Sequence, residues 1–429
     1  MKIGTIESLA LLFSDCTSEC FFATNKASPV LKLFQDNVLQ ENIIILNLPE
    51  DNCTSYNNYE AVILKSDLAQ QFQKRHITHF LLNALSSEKI ESWAHENNII
   101  LLSAPWAIQS KWEDKLFFDK FLETHHLPKP RSWILQNEED INKPSAEKLI
   151  IQRPWSWGSQ GTFFAKDKTT LQKILIREQK YAPLLCREYI DGIPLGVTLL
   201  IGAEQVIFSA LRLQAFFLKE DGTKNKYLGI QWIKTDTFSK EFISTLNAVL
   251  QKFSRLLQSN GFRGAANLDF LVWENQIYFI ECNSRLSDAT AQLTMERSLF
   301  HGYDLVREFI SALSNQPLSA NAAEVPNSLY NGATLDLDGF FPEKIAALLD
   351  KKVGIYQFQR DRITHVSSNL KDFATHSENI LLHHYVLKKH LTHQKDQFGI
   401  VMTHFPIFEI QDANCNLSQQ GKDFLNTFK

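Results

Sequence analysis

The chain has 429 residues, of which 44% are hydrophobic and 21% charged, with a formal net charge of -4. At roughly 150 residues per domain this length suggests about three domains with substantial cores. The slight acidity excludes the basic footprint of a nucleic-acid-wrapping protein, and no run approaches the ~18 uninterrupted apolar residues that a membrane span needs.

From Ile3 to Phe13 the sequence is apolar but interrupted by Glu7, and Ser14-Asp15-Cys16 makes a poor cleavage site. A first β-strand is expected there rather than a signal peptide. Six cysteines (Cys16, Cys20, Cys53, Cys186, Cys282, Cys415) are too few and scattered for a disulfide scaffold. Cys16 and Cys20 form a C-x3-C without a second pair, which reads as ordinary thiols rather than zinc ligands. The chain is expected to be cytoplasmic.

Asn42 to Leu48, Ala61 to Leu64, His79 to Leu82 and Ile99 to Leu102 are short apolar runs expected as buried strands. Ser87 to Asn97 carries Ile90, Trp93 and Ala94 at helical spacing. This alternation predicts a parallel sheet covered on both faces. A helix is expected over Gln109 to His125, ended by Pro128 and Pro130. A compact block follows: strand Lys148 to Gln152, loop, strand Thr162 to Lys166, helix Thr169 to Lys180 and strand Leu184 to Ile190.

Ser239 to Asn260 is the clearest helix, with Phe242, Leu246, Val249, Leu250, Phe253, Leu256 and Leu257 on one stripe. Ser239 suits its N-cap, and Asn260-Gly261 its C-terminal stop. Strands Ala266 to Trp273 and Ile277 to Asn283 come next, then a helix from about Thr294 to Leu313. The polar stretch Ser314 to Asn331 leads into a final mixed α+β block. That block is rich in histidine (His383, His384, His390, His393), but no acidic or cysteine partner stands at metal spacing, so a surface helix is expected.

Two segments carry chemistry. In Ile150 to Gly161 a buried strand delivers Arg153, then a loop holds Ser156, Gly158, Ser159 and Gly161. Such a loop can aim several N–H groups at one anion, and glycine lets a phosphate approach; a hairpin turn explains the glycines equally well. The second segment places Asp269 in one apolar run and Glu281 and Asn283 in the next. Buried acids need a partner or a cation, and residues i and i+2 of a strand share a face. Asp269 lies opposite Glu281 if the connecting loop is odd-numbered, so a three-residue loop Glu274 to Gln276 is expected, with Asn275 or Gln276 left-handed. Three oxygen ligands on one face suit Mg²⁺; the alternative is an acidic pair neutralised by Arg285.

This combination resembles the ATP-grasp superfamily of carboxylate–amine and carboxylate–thiol ligases. The likeness covers roughly residues 1 to 315 and rests on four elements in order: Asp114-Lys115, the glycine-bearing loop, the Leu184-to-Gly192 hinge strand, and the D-x11-E-x-N-x-R pattern of Asp269, Glu281, Asn283 and Arg285. It implies a multidomain α/β and α+β protein. An N-terminal parallel-sheet domain would occupy residues 1–110, a linker helix and lid 111–191, a central antiparallel-sheet domain with the metal site 192–315, and a C-terminal α+β addition 316–429.

The cofactors implied are ATP and Mg²⁺, with Mn²⁺ an alternative. Lys115 and Arg153 would reach the phosphates beneath Ser156, Gly158, Ser159 and Gly161, with Arg153 standing in for the family's usual lysine. The backbone of Arg187, Glu188, Tyr189 and Ile190 would grip adenine, and Asp269, Glu281 and Asn283 would hold the metal. Arg285, with Asn283 and Arg153, would stabilise transfer, and Arg285, Ser287 and Asp288 would meet the substrate. Pro194 stands where many members hold ribose with a glutamate.

The reaction implied activates a carboxylate as an acyl phosphate and joins it to an amine, an amino acid or small peptide, releasing ADP and phosphate. No nucleic-acid or membrane partner is expected, and a homodimer is compatible with similar proteins. The alternatives are a biotin-type carboxylase, for which the chain has no M-K-M carrier motif, and a nucleotide-binding regulator without turnover.

Overall fold

The computed structural model describes residues 6–16, 20–25, 31–46, 59–82, 84–156, 161–217, 226–287, 289–337, 347–359, 362–384, 399–411 and 414–427. Cys53, Trp157, Gly158, Ser159, Lys224, Asp288, His390 and His393 lie outside these residues.

The N-terminal part contains α1 (Ile6–Phe13), β1 (Phe22–Asn25), α2 (Leu31–Asn37), β2 (Ile43–Leu46), α3 (Tyr59–Lys65), α4 (Leu68–Lys74), β3 (His79–Leu81), α5 (Glu88–Glu96) and β4 (Ile100–Leu102). β1 pairs with β2 and β3 with β4, both parallel as the alternation predicts. Two expectations fail. The segment expected as a first strand is helix α1, whose Leu9 and Ala10 are fully buried. Ala61 to Leu64, expected as a strand, is the middle of α3, which buries Val62 and Ile63 in the same core as Ile90 and Trp93 of α5. A four-residue apolar run has no period long enough to separate the two conformations.

The helix expected over Gln109 to His125 is two helices, α6 (Trp106–Glu113) and α7 (Lys115–Thr124). Asp114 leaves the helical region (φ -78°, ψ 111°) and its carboxylate accepts from the backbone N–H groups of Leu116 and Phe117, capping α7. A small antiparallel sheet follows. Its strands, β5 (Ser132–Leu135), β6 (Leu149–Gln152), β7 (Thr162–Ala165) and β8 (Leu184–Glu188), run in the order β5-β8-β6-β7, with α8 (Lys168–Glu178) against one face.

The central strands are β9 (Ile193–Ile201), β10 (Val206–Phe208), β11 (Arg212–Phe217), β12 (Lys226–Trp232), β13 (Gly264–Trp273) and β14 (Gln276–Asn283). α9 (Lys240–Ser259) is the amphipathic helix foreseen, capped by the Ser239 hydroxyl at Phe242 N–H. Its Leu246, Leu250, Phe253 and Leu257 share a core with Leu195, Leu268 and Phe270 of the sheet. The opposite face packs on α10 (Thr290–Met295) and α11 (Leu305–Leu313). These two replace the single helix expected from Thr294, because His301 and Gly302 are left-handed and Asp304 starts a new cap.

The C-terminal strands β15 (Ala333–Asp336), β16 (Gly354–Gln359), β17 (Arg362–Ser367), β18 (Asn379–His384) and β19 (Gly399–Thr403) extend the central sheet. The order is β14-β13-β9-β11-β12-β15-β19-β18-β16-β17, with β10 beside β9. A hairpin, β20 (Phe408–Gln411) and β21 (Asn414–Leu417), and helix α12 (Gln419–Asn426) close the chain. His383 and His384 lie on β18, with His383 fully buried, so the expected surface helix is not formed there. No described helix is long and apolar enough to cross a membrane.

Candidate active site

The acidic cluster is built by an irregular hairpin. β13 and β14 are joined by two residues, Glu274 and Asn275, both left-handed (φ 49° and 61°). That is the pattern of a type I′ turn, whose twist matches the strands it joins. The expected three-residue loop is therefore wrong, and Gln276 belongs to the strand; Asn275 is left-handed as expected. Trp273 pairs with Gln276, a register that alone would set Glu281 against Leu268. Between Phe270/Phe279 and Asp269/Glu281 the register slips by one, leaving Ile280 as a bulge. Core residues on β14 change parity at that point: Ile277 and Phe279 point inward, and then Cys282 does. Asp269 thus faces Glu281, and Asn267 faces Asn283.

Asn283 Nδ2 lies 3.3 Å from Asp269 Oδ2 and 3.2 Å from Glu281 Oε1, so the three side chains converge. The direct partners of the acids are groups other than Arg285, while the charge of Arg285 also helps to hold Glu281 low. Asp269 Oδ1 accepts from Arg212 (3.3 Å) and from Gln214, both on β11. Glu281 Oε2 lies 3.0 Å from Lys115 Nζ. Burial pushes the Asp269 carboxyl up to about 7; Arg212 opposes that rise and the charge of Glu281 adds to it. Burial acts upward on Glu281 too, but the Lys115 ammonium and the Asn283 amide outweigh it and hold that carboxyl below its ordinary value.

Among the described residues no group of three or more His, Cys, Asp and Glu side chains is placed to share a metal ion. Two carboxylates and an amide are a different donor set. Their oxygens suit a hard cation that keeps several waters, and a cation between them would offset the Glu281 charge that adds to the effect of burial on Asp269. A half-turn of the Asn283 amide would present its oxygen. The residues present fit Mg²⁺.

Lys115 opens α7 and is almost fully buried. Its Nζ donates to the Ser156 carbonyl (2.7 Å) and its N–H to the Pro154 carbonyl (3.1 Å), tying the segment after β6 to the acidic cluster. Arg153 N–H donates to the Gly161 carbonyl, closing the base of that loop. A Cβ on Gly161 would stand 2.6 Å from Ser156 Cβ, so only glycine fits this close approach. Trp155 reaches Trp106 of α6, with ring centroids 5.8 Å apart.

Arg285 Nε lies 3.5 Å from Glu113 Oε1 and its NH2 donates to Asn283 Oδ1 (3.2 Å). Ser287 donates to Asn267 Oδ1 (2.9 Å), and Asn267 Nδ2 donates to the Arg285 carbonyl, which fixes the loop after β14. Sequence reasoning missed Glu113, Gln109, Gln214 and Asn267. Gln109 and Glu113 stand one helical turn apart on α6 and clamp Ser284: Gln109 Nε2 donates to its carbonyl and Glu113 accepts from its N–H. Arg212 and Gln214 are an i, i+2 pair on a buried strand, the same signal that singled out Glu281 and Asn283.

Four of the expected cofactor residues, Arg153, Arg187, Glu188 and Tyr189, make other contacts in the structure. Arg153 points towards α8: its NH2 lies 2.5 Å from Glu178 Oε2, and its guanidinium carbon sits 3.7 Å from the Tyr181 ring centroid. Strand alternation explains this, because Gln152, not Arg153, occupies the face of β6 away from α8. On the hinge strand, the N–H groups of Glu188 and Tyr189 already donate to the Arg131 and Lys148 carbonyls. Glu188 also pairs with Arg131 (2.6 Å). Arg187 is buried, its side chain directed at α7 and β14. The Tyr189 ring packs 5.0 Å from that of Phe164 at a 60° tilt, and burial pushes its hydroxyl up to about 12.

Residues 112–289 match the family model of the ATP-grasp domain. The carbamoyl phosphate synthase large chain of Clostridium botulinum is 22% identical over 259 residues, 58% of this chain and 24% of the relative. The chain thus spans about a quarter of the length of the curated relatives it matches. Among solved structures, the biotin carboxylase domain dimer of Hydrogenobacter thermophilus 2-oxoglutarate carboxylase, in complex with MgADP, ADP and bicarbonate, superposes with a TM-score of 0.61. It shares 14% identity and covers 94% of this chain and 84% of its own. An L-amino acid ligase from Bacillus licheniformis gives 0.51 at 13% identity, covering 90% and 84%. Residues 112–289 thus match an ATP-grasp domain, and the chain shares its overall fold with these solved structures.

Proposed function

We propose that the chain is an ATP-dependent ligase that activates a substrate carboxylate as an acyl phosphate and passes it to an amine, releasing ADP and phosphate. The observation that carries this reading is the convergence of Asp269, Glu281 and Asn283 beside Lys115, whose ammonium also holds the Ser156 carbonyl. Mg²⁺ held by those three, or Mn²⁺ in its place, would supply charge neutralisation at the triphosphate. Lys115, now bonded to Glu281 and Ser156, would turn to the phosphates as the acids take the cation. The loop from Ser156 to Gly161, with Gly158 and Ser159, would cover them.

Ile190 and the carbonyls around it would meet adenine, since the neighbouring N–H groups are engaged in the lid sheet. Arg285, oriented by Glu113, would hold the transferring phosphoryl oxygen, with Ser287 and Asp288 at the substrate wall. Such a site acts by positioning and electrostatics and needs no covalent nucleophile.

The preferred amine is an amino acid or small peptide; support comes from the L-amino acid ligase likeness and from Arg285. Bicarbonate is the second reading, favoured by the Hydrogenobacter thermophilus structure in complex with that anion, which covers 94% of the chain. That structure is of a domain dimer, and a homodimer is the assembly proposed here. ADP release measured across carboxylate and amine libraries tests the reading. Turnover that needs both and disappears in Glu281→Ala supports it, turnover with bicarbonate alone favours the second reading, and ATP binding without turnover marks a regulator.

A further inference from the structure

We infer that Arg187, rather than Arg153, is the lid cation that holds a phosphate of the bound nucleotide. This rests on the ligase reading, which puts the nucleotide between the lid and β14. Leu149, Ile151, Phe163, Ala165, Leu184 and Cys186 fill the core under α8. Alternation therefore turns Gln152 on β6 and Arg187 on β8 to the other face, towards α7 and β14. Arg153, one residue past Gln152, returns to the α8 side and is engaged by Glu178 and Tyr181.

Arg187 is 2% exposed and held on three sides. Its Nε donates to Asp119 Oδ1 (3.1 Å), and its NH1 to Gln152 Oε1 (2.9 Å) and to the Ile280 carbonyl (2.8 Å). Ile280 is the bulged residue of β14, so the irregularity that precedes Glu281 also offers a carbonyl outside the regular ladder. The guanidinium is thereby fixed one residue from a proposed metal ligand.

Its NH2 has no hydrogen-bond partner although it is closed off from water. A buried donor left unpaired is costly, and most so on a charged group. Local charge also favours an anion. Asp119 is shared between Arg187 and Lys129, at 3.1 and 2.6 Å, so one carboxylate faces two cations. A phosphate oxygen supplies both the missing acceptor and the missing charge, and a rigid guanidinium suits it.

Calorimetric titration of Mg·ATP, ADP and adenosine into wild type, Arg187→Met, Arg187→Lys and Arg153→Met tests the assignment. Arg187→Met is expected to weaken ATP and ADP about 10- to 100-fold while adenosine changes less than about threefold. Arg153→Met is expected to leave the ratio of ATP to adenosine affinity at its wild-type value. If Arg187→Met does not fold, Arg187→Lys reports instead, with the same preferential loss for the phosphorylated ligands. Equal losses for ATP and adenosine would make Arg187 a structural strut and overturn this inference alone. A wild-type protein that binds no Mg·ATP would overturn the ligase reading as well.

Discussion

Asp269 faces Glu281 across β13 and β14 because Ile280 drops out of the ladder between them. The two-residue turn at Glu274-Asn275 sets one register and the bulge sets another, one residue displaced. The acids meet on the second. The released Ile280 carbonyl accepts from Arg187 of the lid, so one irregularity serves both the cluster and the lid contact.

The raised carboxyl of Asp269 has a pH signature. An unfolded aspartate ionises near about 3.9, whereas burial pushes Asp269 up to about 7. The fold thus holds this proton more tightly than the unfolded chain does. The group's contribution to stability is full at low pH and is lost as pH rises towards and through that value. Mg²⁺ competes with the proton, so the Mg²⁺-induced rise in Tm should be small near about pH 6 and grow towards about pH 8. In Asp269→Asn the Mg²⁺ effect should be weak and flat across that range, as thermal melts with and without Mg²⁺ would show.

Arg153 should matter more for lid stability than for nucleotide affinity. Glu178 is 3% exposed and is held by Arg153 and by the more exposed Arg177. Removing Arg153 leaves the buried Glu178 with only the more exposed Arg177, so Arg153→Met is expected to cost about 2 kcal/mol in denaturant melts. Adding Glu178→Gln should recover part of that loss, because no buried charge is then left unpaired.

The turn carries a correctable strain. Glu274 is left-handed at φ 49°, where a residue with an extended side chain is disfavoured. Glu274→Asn keeps the turn with a residue that tolerates this region and should stabilise by roughly 0.5–1 kcal/mol. Equal melting of variant and wild type would show that the turn is not strained.

Gly196 of β9 lies directly beneath the acidic cluster. A Cβ there would stand 2.9 Å from Arg212 Nε and 2.9 Å from Asp269 Oδ1. Gly196→Ala should therefore displace the Arg212–Asp269 contact and lower Mg²⁺-dependent nucleotide turnover by about tenfold or more. The far-UV spectrum should stay that of wild type.

The sequence made the cluster legible because Asp269, Glu281 and Asn283 are acids and an amide inside otherwise apolar strands. α9 was legible for the same kind of reason, a long stripe ending in Asn260-Gly261. Arg153 was expected at the phosphates, and its side chain pairs with Glu178 of α8. A positive charge at the end of a strand is visible in a sequence, whereas the face it takes depends on where alternation starts, and that is set by packing under α8. Ala61 to Leu64 failed for want of length, and the break at His301-Gly302 was hidden by apolar residues that continue on either side. Glu113 and Gln109 went unread because their partner, Ser284, lies 171 and 175 positions away.

The central claim is that this site couples ATP cleavage to the joining of a carboxylate and an amine. ADP and phosphate release, followed with Mg²⁺ and ATP over matched pairs of carboxylates and amines, tests it most directly. The account predicts release that requires both partners and falls at least about 100-fold in Glu281→Ala. Release that ignores both partners, or that survives the loss of Glu281, would contradict it.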